Sequence, residues 1–488
     1  MRNRIITTLI LILIIPALLF AQNQLQKLID SYQNYYSLRH AQWSIYAQYT
    51  DNSEVIIDFN GNASLAPASG LKLLTTAAAL DLLGPDHRIE THLYYDGNIG
   101  PDGILTGNIY IKGGGDPALG SDRIDSSASL NNLMAEWAVA VGKKGIREIR
   151  GAIIADDLLF SGNAVPDNWT WGDIGNYYGA GTNALSIHDN LYFLYFKPGK
   201  FNGQPANTLR TEPVIPGLSF DNHMLTGRRG SGDRGYIYCA PGQYTATLRG
   251  TVPAGVSEFA IKGSIPDPAL FTAQYFSDQL KKMGIAISGI PKKQNQTISY
   301  NSAKLIHKTM SSPIKEIVYY TNKRSMNLYA EQLLRLIALE KTGNSSIKQG
   351  IHSLYNFCEN NKISTDGMHL YDGSGLSREN SITTESITQL LVNMTSHPYF
   401  DYFYNSLGIA GDPADPASFS SFGSNTILAN NARLKSGTLA RVRSLSGYVQ
   451  SRTGRLIAFS IIANNYSGSL ANLNQMHKNL IIELAKLP

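Results

Sequence analysis

Hydrophobic and polar positions change their rhythm along this chain, and the changes mark its elements. A helical start, Leu25 to Tyr36, leads to Gln42–Tyr49, which alternates with period two and predicts a strand. A turn at Thr50–Ser53 and a second strand from Glu54 to Phe59 complete a hairpin. Leu73 to Leu83 is rich in helix formers, free of Gly and Pro, and is stopped by Gly84-Pro85. From about Thr91 the texture turns to short strands with Gly/Asp turns. An amphipathic helix over Leu130 to Val141, a strand over Ile146 to Ala155 and an aromatic loop around Trp169–Ala180 follow. Leu191 to Lys262 reads as strand and turn throughout, and Ala269 to Met283 as a helix. Long helical patterns return at Ile314 to Tyr320, Asn327 to Glu340 and Ile351 to Glu359. Two alternating strands, Ser444 to Gln450 and Leu456 to Ala463, precede a final helix, Asn472 to Leu487.

Similar texture at both ends with a different one between them predicts one domain split by an insertion. The expected partition is a leader at 1–21, a first domain part at 22–90, an inserted region at 91–290 with a nested β unit about 191–262, and a second part at 291–488. Arg2 and Arg4 followed by the apolar run Ile5 to Phe20 and a small residue at Ala21 give the leader the form of a secretory signal. Its run is short for a membrane span. Export with cleavage after Ala21 is expected, to a periplasmic or otherwise extracytoplasmic place, with no membrane span in the remaining chain.

Composition narrows the classes. Hydrophobic residues make up 43% and charged residues 16%, which suits a folded core. The net charge of +5 carries no basic run, so no nucleic-acid partner is expected. Cys239 and Cys358 are the only cysteines, one in a strand-like and one in a helix-like stretch, and read as two buried free thiols. No His-Glu-x-x-His or Cys/His cluster occurs, so no zinc site is expected.

Candidate chemistry gathers at the start of the 73–83 helix. Ser69 and Lys72 are three residues apart and share a helix face, so a lysine whose burial favours the neutral amine would stand ready to deprotonate a serine nucleophile. The bare pattern is cheap, since Ser312/Lys315 and Ser345/Lys348 repeat it and Ser is a favoured helix cap. Only Ser69 precedes an apolar helix able to bury its lysine. Ser325-Met326-Asn327 places a second hydroxyl and an amide before a long helix, where they can hold protons and carbonyls or simply cap the helix. Lys435-Ser436-Gly437-Thr438 precedes the terminal hairpin, and its glycine is expected to leave room for substrate beside the strand. A literal Lys341-Thr342-Gly343 closes the helix from Ser325, with Gly343 as C-terminal cap, roughly 20 Å from that serine.

Ser-x-x-Lys, Ser-x-Asn and Lys-Ser/Thr-Gly in this order mark penicillin-binding proteins and class A β-lactamases. With Gly114–Leu119, Asn322–Glu331, Tyr371–Arg378 and Leu445–Val449, the chain resembles the class C penicillin-binding proteins, the D-alanyl-D-alanine carboxypeptidase/endopeptidases, over nearly its whole mature length. The gap of about 250 residues between Ser69 and Ser325 belongs to that family and not to β-lactamases. Gly70 stands where the family often has Thr, Met326 where it has a polar residue, and Lys-Ser-Gly replaces Lys-Thr-Gly.

The resemblance implies an α/β (α+β) transpeptidase fold, an antiparallel sheet flanked by helices and split by a large insert. It implies acyl transfer on peptidoglycan stem peptides and reaction with β-lactams, with no metal or organic cofactor needed. Ser69 would be the nucleophile and Lys72 its base. Ser325 would relay a proton, Asn327 hold the peptide, and Lys435 bind the terminal carboxylate or polarise Ser325. Ser436, Gly437 and Thr438 would line the substrate, with backbone N–H groups of Ser69 and Thr438 as the oxyanion hole. In Trp169-Thr170-Trp171-Gly172-Asp173 the resemblance places Asp173 by the cleft, to pair with a stem-peptide ammonium. Buried tryptophans with a capping Asp explain that stretch equally well. A β-lactamase-like hydrolase and a non-catalytic peptidoglycan-binding protein remain alternatives, and a homo-oligomer stays open.

Overall fold

The structure is a computed structural model that describes residues 23–488, so the expected leader lies outside the described residues. The chain forms two compact units. One comprises the described residues up to Pro85, Val318–Met326 and Ile351–Pro488; the other comprises Asp86–Ile317 and Asn327–Gly350.

In the first unit six strands form one sheet, in the order Gly408–Ile409, Arg433–Leu439, Val442–Gln450, Leu456–Asn464, Gln42–Tyr49, Val55–Phe59. Every pairing is antiparallel. The N-terminal hairpin joins the C-terminal one where Gln42 faces Asn464 and Tyr49 faces Ile457. Period two explains how Gln42–Tyr49 is used. Trp43, Ile45, Ala47 and Tyr49 pack into a core with Leu25 and Ile29 of the helix over 23–33 and with Leu473, Leu480 and Leu484 of the terminal helix Leu470–Ala485. On the other face, Ser44 bonds Thr384 and the Tyr46 carbonyl accepts from Thr388, both on the helix Thr384–Thr395. The sheet is therefore covered on both sides. The helix Lys72–Leu83 is buried at every residue from Lys72 to Leu80, as a helix apolar all round should be, and ends at Gly84 with φ 86°.

In the second unit a five-stranded mixed sheet runs Lys292–Lys293, Ile153–Asp156, Ile109–Lys112, Glu90–Tyr95, Leu305–Met310. Ile109–Lys112 and Ile153–Asp156 are parallel, with the helix Leu130–Lys143 falling between them in the chain. That helix and Pro268–Lys282 supply much of the core, with Trp137 edge-on to Phe276. The single strand expected over 146–155 is two, Glu148–Ile149 and Ile153–Asp156, in different sheets. Gly151 lies between them, where a Cβ would come within 2.2 Å of the Gly107 carbonyl. From Leu191 to Ser264 the regular strands form two three-stranded sheets.

The unit bounds differ from the expected insert at 91–290. Leu305–Met310 and the helix Asn327–Thr342 fall in the second unit. The helix is tied there by polar side chains that periodicity ignores. Tyr329 bonds Ser121 and Asp189, Gln332 bonds Asn183 and Ser186, and Arg335 bonds the carbonyls of Ser161, Asn163 and Ser345. Both cysteines are free and buried.

Candidate active site

A 3-10 turn, Ala68–Leu71, delivers Ser69 to the start of the buried helix. Ala68 has φ 47°, a left-handed conformation that costs a non-glycine residue about 1 kcal/mol or more. Lys72 is fully buried, and its Nζ donates to Ser69 Oγ at 2.9 Å and to the Ser374 carbonyl at 2.6 Å. Ser374 lies on a loop that the buried Asp372 carboxylate folds around itself. That carboxylate accepts from the backbone of Gly375 at 2.7 Å and Ser377 at 2.6 Å, and from Asn380 at 2.8 Å. Thr75 bonds the Gly373 carbonyl at 2.7 Å. A Cβ on Gly375 would lie 1.9 Å from the Ala68 carbonyl, so this loop seats directly on the nucleophile turn. Residue-type patterns single out hydroxyls and amines and miss this support, because a backbone carbonyl has no signature beyond the Asp-Gly-Ser-Gly run.

Lys435 lies on the strand Arg433–Leu439, 2% exposed, and its Nζ donates to Ser325 Oγ at 2.9 Å and to the Ser436 carbonyl at 2.8 Å. Burial, then the charges of Lys72 and Arg443, hold its pKa well below the usual lysine value. Of its two expected roles, the geometry has the contact with Ser325. Ser325 lies two residues before the helix Asn327–Thr342. It sits with φ 55° between the helices Ile314–Lys323 and Asn327–Thr342. Asn322 anchors this turn to the Lys72 helix, donating to Thr76 Oγ1 at 3.0 Å and to Ser406 Oγ at 2.8 Å.

Gly437 corrects an expectation. Its missing side chain makes room for protein, not substrate: a Cβ there would lie 2.4 Å from the Pro67 carbonyl and 2.8 Å from the Gly70 nitrogen. Gly70 faces the same crowding, with Ser444 Oγ 2.8 Å from where its Cβ would be. Two glycines and a serine let the strand and the nucleophile turn touch, and Ser444 Oγ seals the contact by donating to the Pro67 carbonyl at 2.6 Å. Thr438 is exposed at the far end of the motif and accepts from Arg443 at 2.7 Å.

Asn327 and Asp173 belong to the second unit. There Asn327 Nδ2 donates to the Tyr178 carbonyl at 2.7 Å. Asp173 accepts from Thr170 Oγ1 at 2.6 Å and from the Tyr178 hydroxyl, whose pKa is raised by burial and then by that carboxylate. Trp169 is buried and Trp171 exposed, so the expectation of buried tryptophans holds for one of the two. The other Ser-x-x-Lys pairs are occupied elsewhere. Lys315 pairs with Asp86, Ser312 bonds Ser126, and Ser345 accepts from the Ser161 backbone. Gly343, at φ 70°, closes its helix by donating to the Leu339 carbonyl.

Among the described residues no group of three or more His, Cys, Asp or Glu is placed to hold a metal, and no helix is long and apolar enough to cross a membrane. The chain is 29% identical over 428 residues to a D-alanyl-D-alanine carboxypeptidase of Actinomadura, covering 86% of this chain and 77% of that one. It is 24% identical to the D-alanyl-D-alanine carboxypeptidase DacB of Haemophilus influenzae, covering 90% of each. The crystal structure of penicillin binding protein 4 from Haemophilus influenzae superposes with a TM-score of 0.80 at 23% identity, over 95% of this chain and 99% of that one, and shares the fold. A predatory peptidoglycan endopeptidase from Bdellovibrio bacteriovorus aligns at 0.52 and 17% identity, over 92% and 94%. The family model for the D-Ala-D-Ala carboxypeptidase 3 (S13) family matches residues 25–485, and the chain belongs to that family.

Proposed function

We propose that this serine D-Ala-D-Ala carboxypeptidase works through an acyl-enzyme on Ser69. The carrying observation is the paired geometry of two hydroxyls and two buried amines: Lys72 Nζ at 2.9 Å from Ser69 Oγ, and Lys435 Nζ at 2.9 Å from Ser325 Oγ. Lys72 takes the Ser69 proton as Oγ attacks the carbonyl between the two D-alanines. The N–H groups of Ser69 and Thr438 hold the oxyanion, a contribution of about 3 kcal/mol per donor in other hydrolases. Ser325 passes a proton to the leaving amine. The depressed pKa of Lys435 suits exchange of a proton with Ser325 better than a fixed ammonium would. Asn327, two residues along the chain from Ser325, is assigned the substrate amide, and Asp173 a stem-peptide ammonium. Water then releases the acyl group and restores Ser69.

The same Ser69 chemistry accounts for capture by β-lactams, and the Haemophilus influenzae relative has been solved with one bound. It equally serves endopeptidase cleavage of cross-links. Peptidoglycan as substrate and the secretory form of the leader support a periplasmic or otherwise extracytoplasmic location. The test is to incubate the protein with labelled penicillin and map the adduct by mass spectrometry. Ser69 should be acylated and Ser69→Ala unlabelled. An adduct on Ser312 or Ser345 would refute the assignment.

A further inference from the structure

We propose that Arg443 is a positioning residue that makes the enzyme select a free C-terminal carboxylate, acting through the Thr438 hydroxyl. The inference rests on the acyl-transfer reading and adds a specificity determinant to it. Lys435 is turned to Ser325 and Ser436, which leaves the carboxylate of the terminal D-alanine without its expected lysine. Arg443, on the neighbouring strand Val442–Gln450, is in register with Thr438 and donates to Thr438 Oγ1 at 2.7 Å. A hydroxyl has one hydrogen. With its oxygen accepting from a guanidinium, the Thr438 O–H is directed outward as a donor.

Behind that donor stands a charge with nothing to balance it. Arg443 is 8% exposed, has no ion-pair partner among the described residues, and its Nε has no acceptor there. Its neighbour His477, on the terminal helix, is fully buried, and burial first and then Arg443 push its pKa down to about 3, so it remains a neutral ring. Tyr466 is the other titratable group beside the guanidinium. A buried cation without a counter-ion is unfavourable, and an anion arriving at Thr438 relieves it. A peptide carboxylate fits: it accepts the hydroxyl hydrogen and meets the guanidinium's field across a single side chain.

The experiment compares hydrolysis of a peptide ending in D-Ala-D-Ala with the same peptide as its C-terminal amide. For Arg443→Met, KM for the acid should rise about tenfold with kcat nearly unchanged, while kcat/KM for the amide shifts by about twofold or less. Arg443→Lys should recover part of the preference. Thr438→Val, at an exposed position, should abolish the preference by itself, and adding Arg443→Met to it should change little further. Equal losses on acid and amide, or additive effects in the double variant, would overturn the proposal. Penicillin labelling of Ser69 separates the two readings. Labelling retained with equal losses removes Arg443 alone, whereas an unaltered protein that penicillin does not label at Ser69 removes both.

Discussion

A buried charged cluster in one unit and another in the second are closed in different ways. In the first unit's cluster, Lys435 and Arg443 are buried basic side chains with no ion-pair partner among the described residues, and Lys72 is buried against a hydroxyl and a carbonyl. In the second unit's cluster, the buried Asp189 carboxylate is closed by protein. It accepts from Arg123 Nε and from the Tyr329 hydroxyl, each at 2.6 Å, at the centre of the run His188–Asn190, whose φ values are 53°, 52° and 53°. There the ionic contacts hold a strained backbone run and a helix in place. At Arg443 the positive charge has no counter-ion among the described residues. A charge satisfied within the fold reads as structure, and a buried charge left unsatisfied reads as a place for a ligand.

The sharpest test of that contrast swaps lysines. Lys72→Ala should lower kcat by about a thousandfold or more, as loss of a base that activates a nucleophile does, and Lys341→Ala in the second unit should be silent. Loss of activity on changing Lys341, with Lys435→Ala harmless, would reverse the assignment of the motifs. Next come the two Lys-x-Gly glycines. Gly437→Ala forces a methyl into the Pro67–Gly70 turn and should cost about a hundredfold in kcat by displacing Ser69. Gly343→Ala meets open space at φ 70° and should cost about 1 kcal/mol of stability with no change in kcat.

A smaller pair concerns pH and stability. His477 is depressed to about 3 in the folded protein, so below pH about 6.5 the unfolded chain binds a proton that the folded one does not. Its contribution is complete above pH about 6.5 and is lost as pH falls toward 3. Asp116 has the opposite sign. Burial, only partly offset by a hydrogen bond from the Ala118 backbone, raises its carboxyl to about 7, with the Asp189 charge adding to the rise. The folded chain therefore holds a proton that the unfolded chain releases, and this contribution is present at acid pH and is lost as pH rises to about 7. Unfolding midpoints between pH 4 and 7 should thus flatten at the acid end for His477→Leu and rise at the neutral end for Asp116→Asn. Effects of both variants at the same end of that pH range would refute the opposition.

The smallest effect is expected at Asp173, already engaged by Thr170 and Tyr178. Asp173→Ala should raise KM a few-fold for stem peptides with a free side-chain amine, consistent with about 1 kcal/mol or less for an exposed pair, and leave penicillin labelling unchanged. A parallel fall in both would make Asp173 structural.

Local chemistry determined a good deal of this protein by itself. Alternation over Gln42–Tyr49 and Leu456–Asn464, and the unbroken apolar run after Lys72, follow from side-chain periodicity, which any sufficiently long element displays. Ser69, Lys72, Ser325 and Lys435 are candidates in the sequence through spacings that other pairs share, and the family resemblance selects them. The tertiary structure decided what depends on distance across the chain. Gly437 faces Pro67, Lys72 meets the Ser374 carbonyl, and the helix after Asn327 belongs to the second unit through Tyr329, Gln332 and Arg335. Arg443 is an unremarkable strand arginine in the sequence. It becomes a candidate anion reader only because the fold buries it beside Thr438, without a carboxylate, next to a histidine too deeply buried to share its charge.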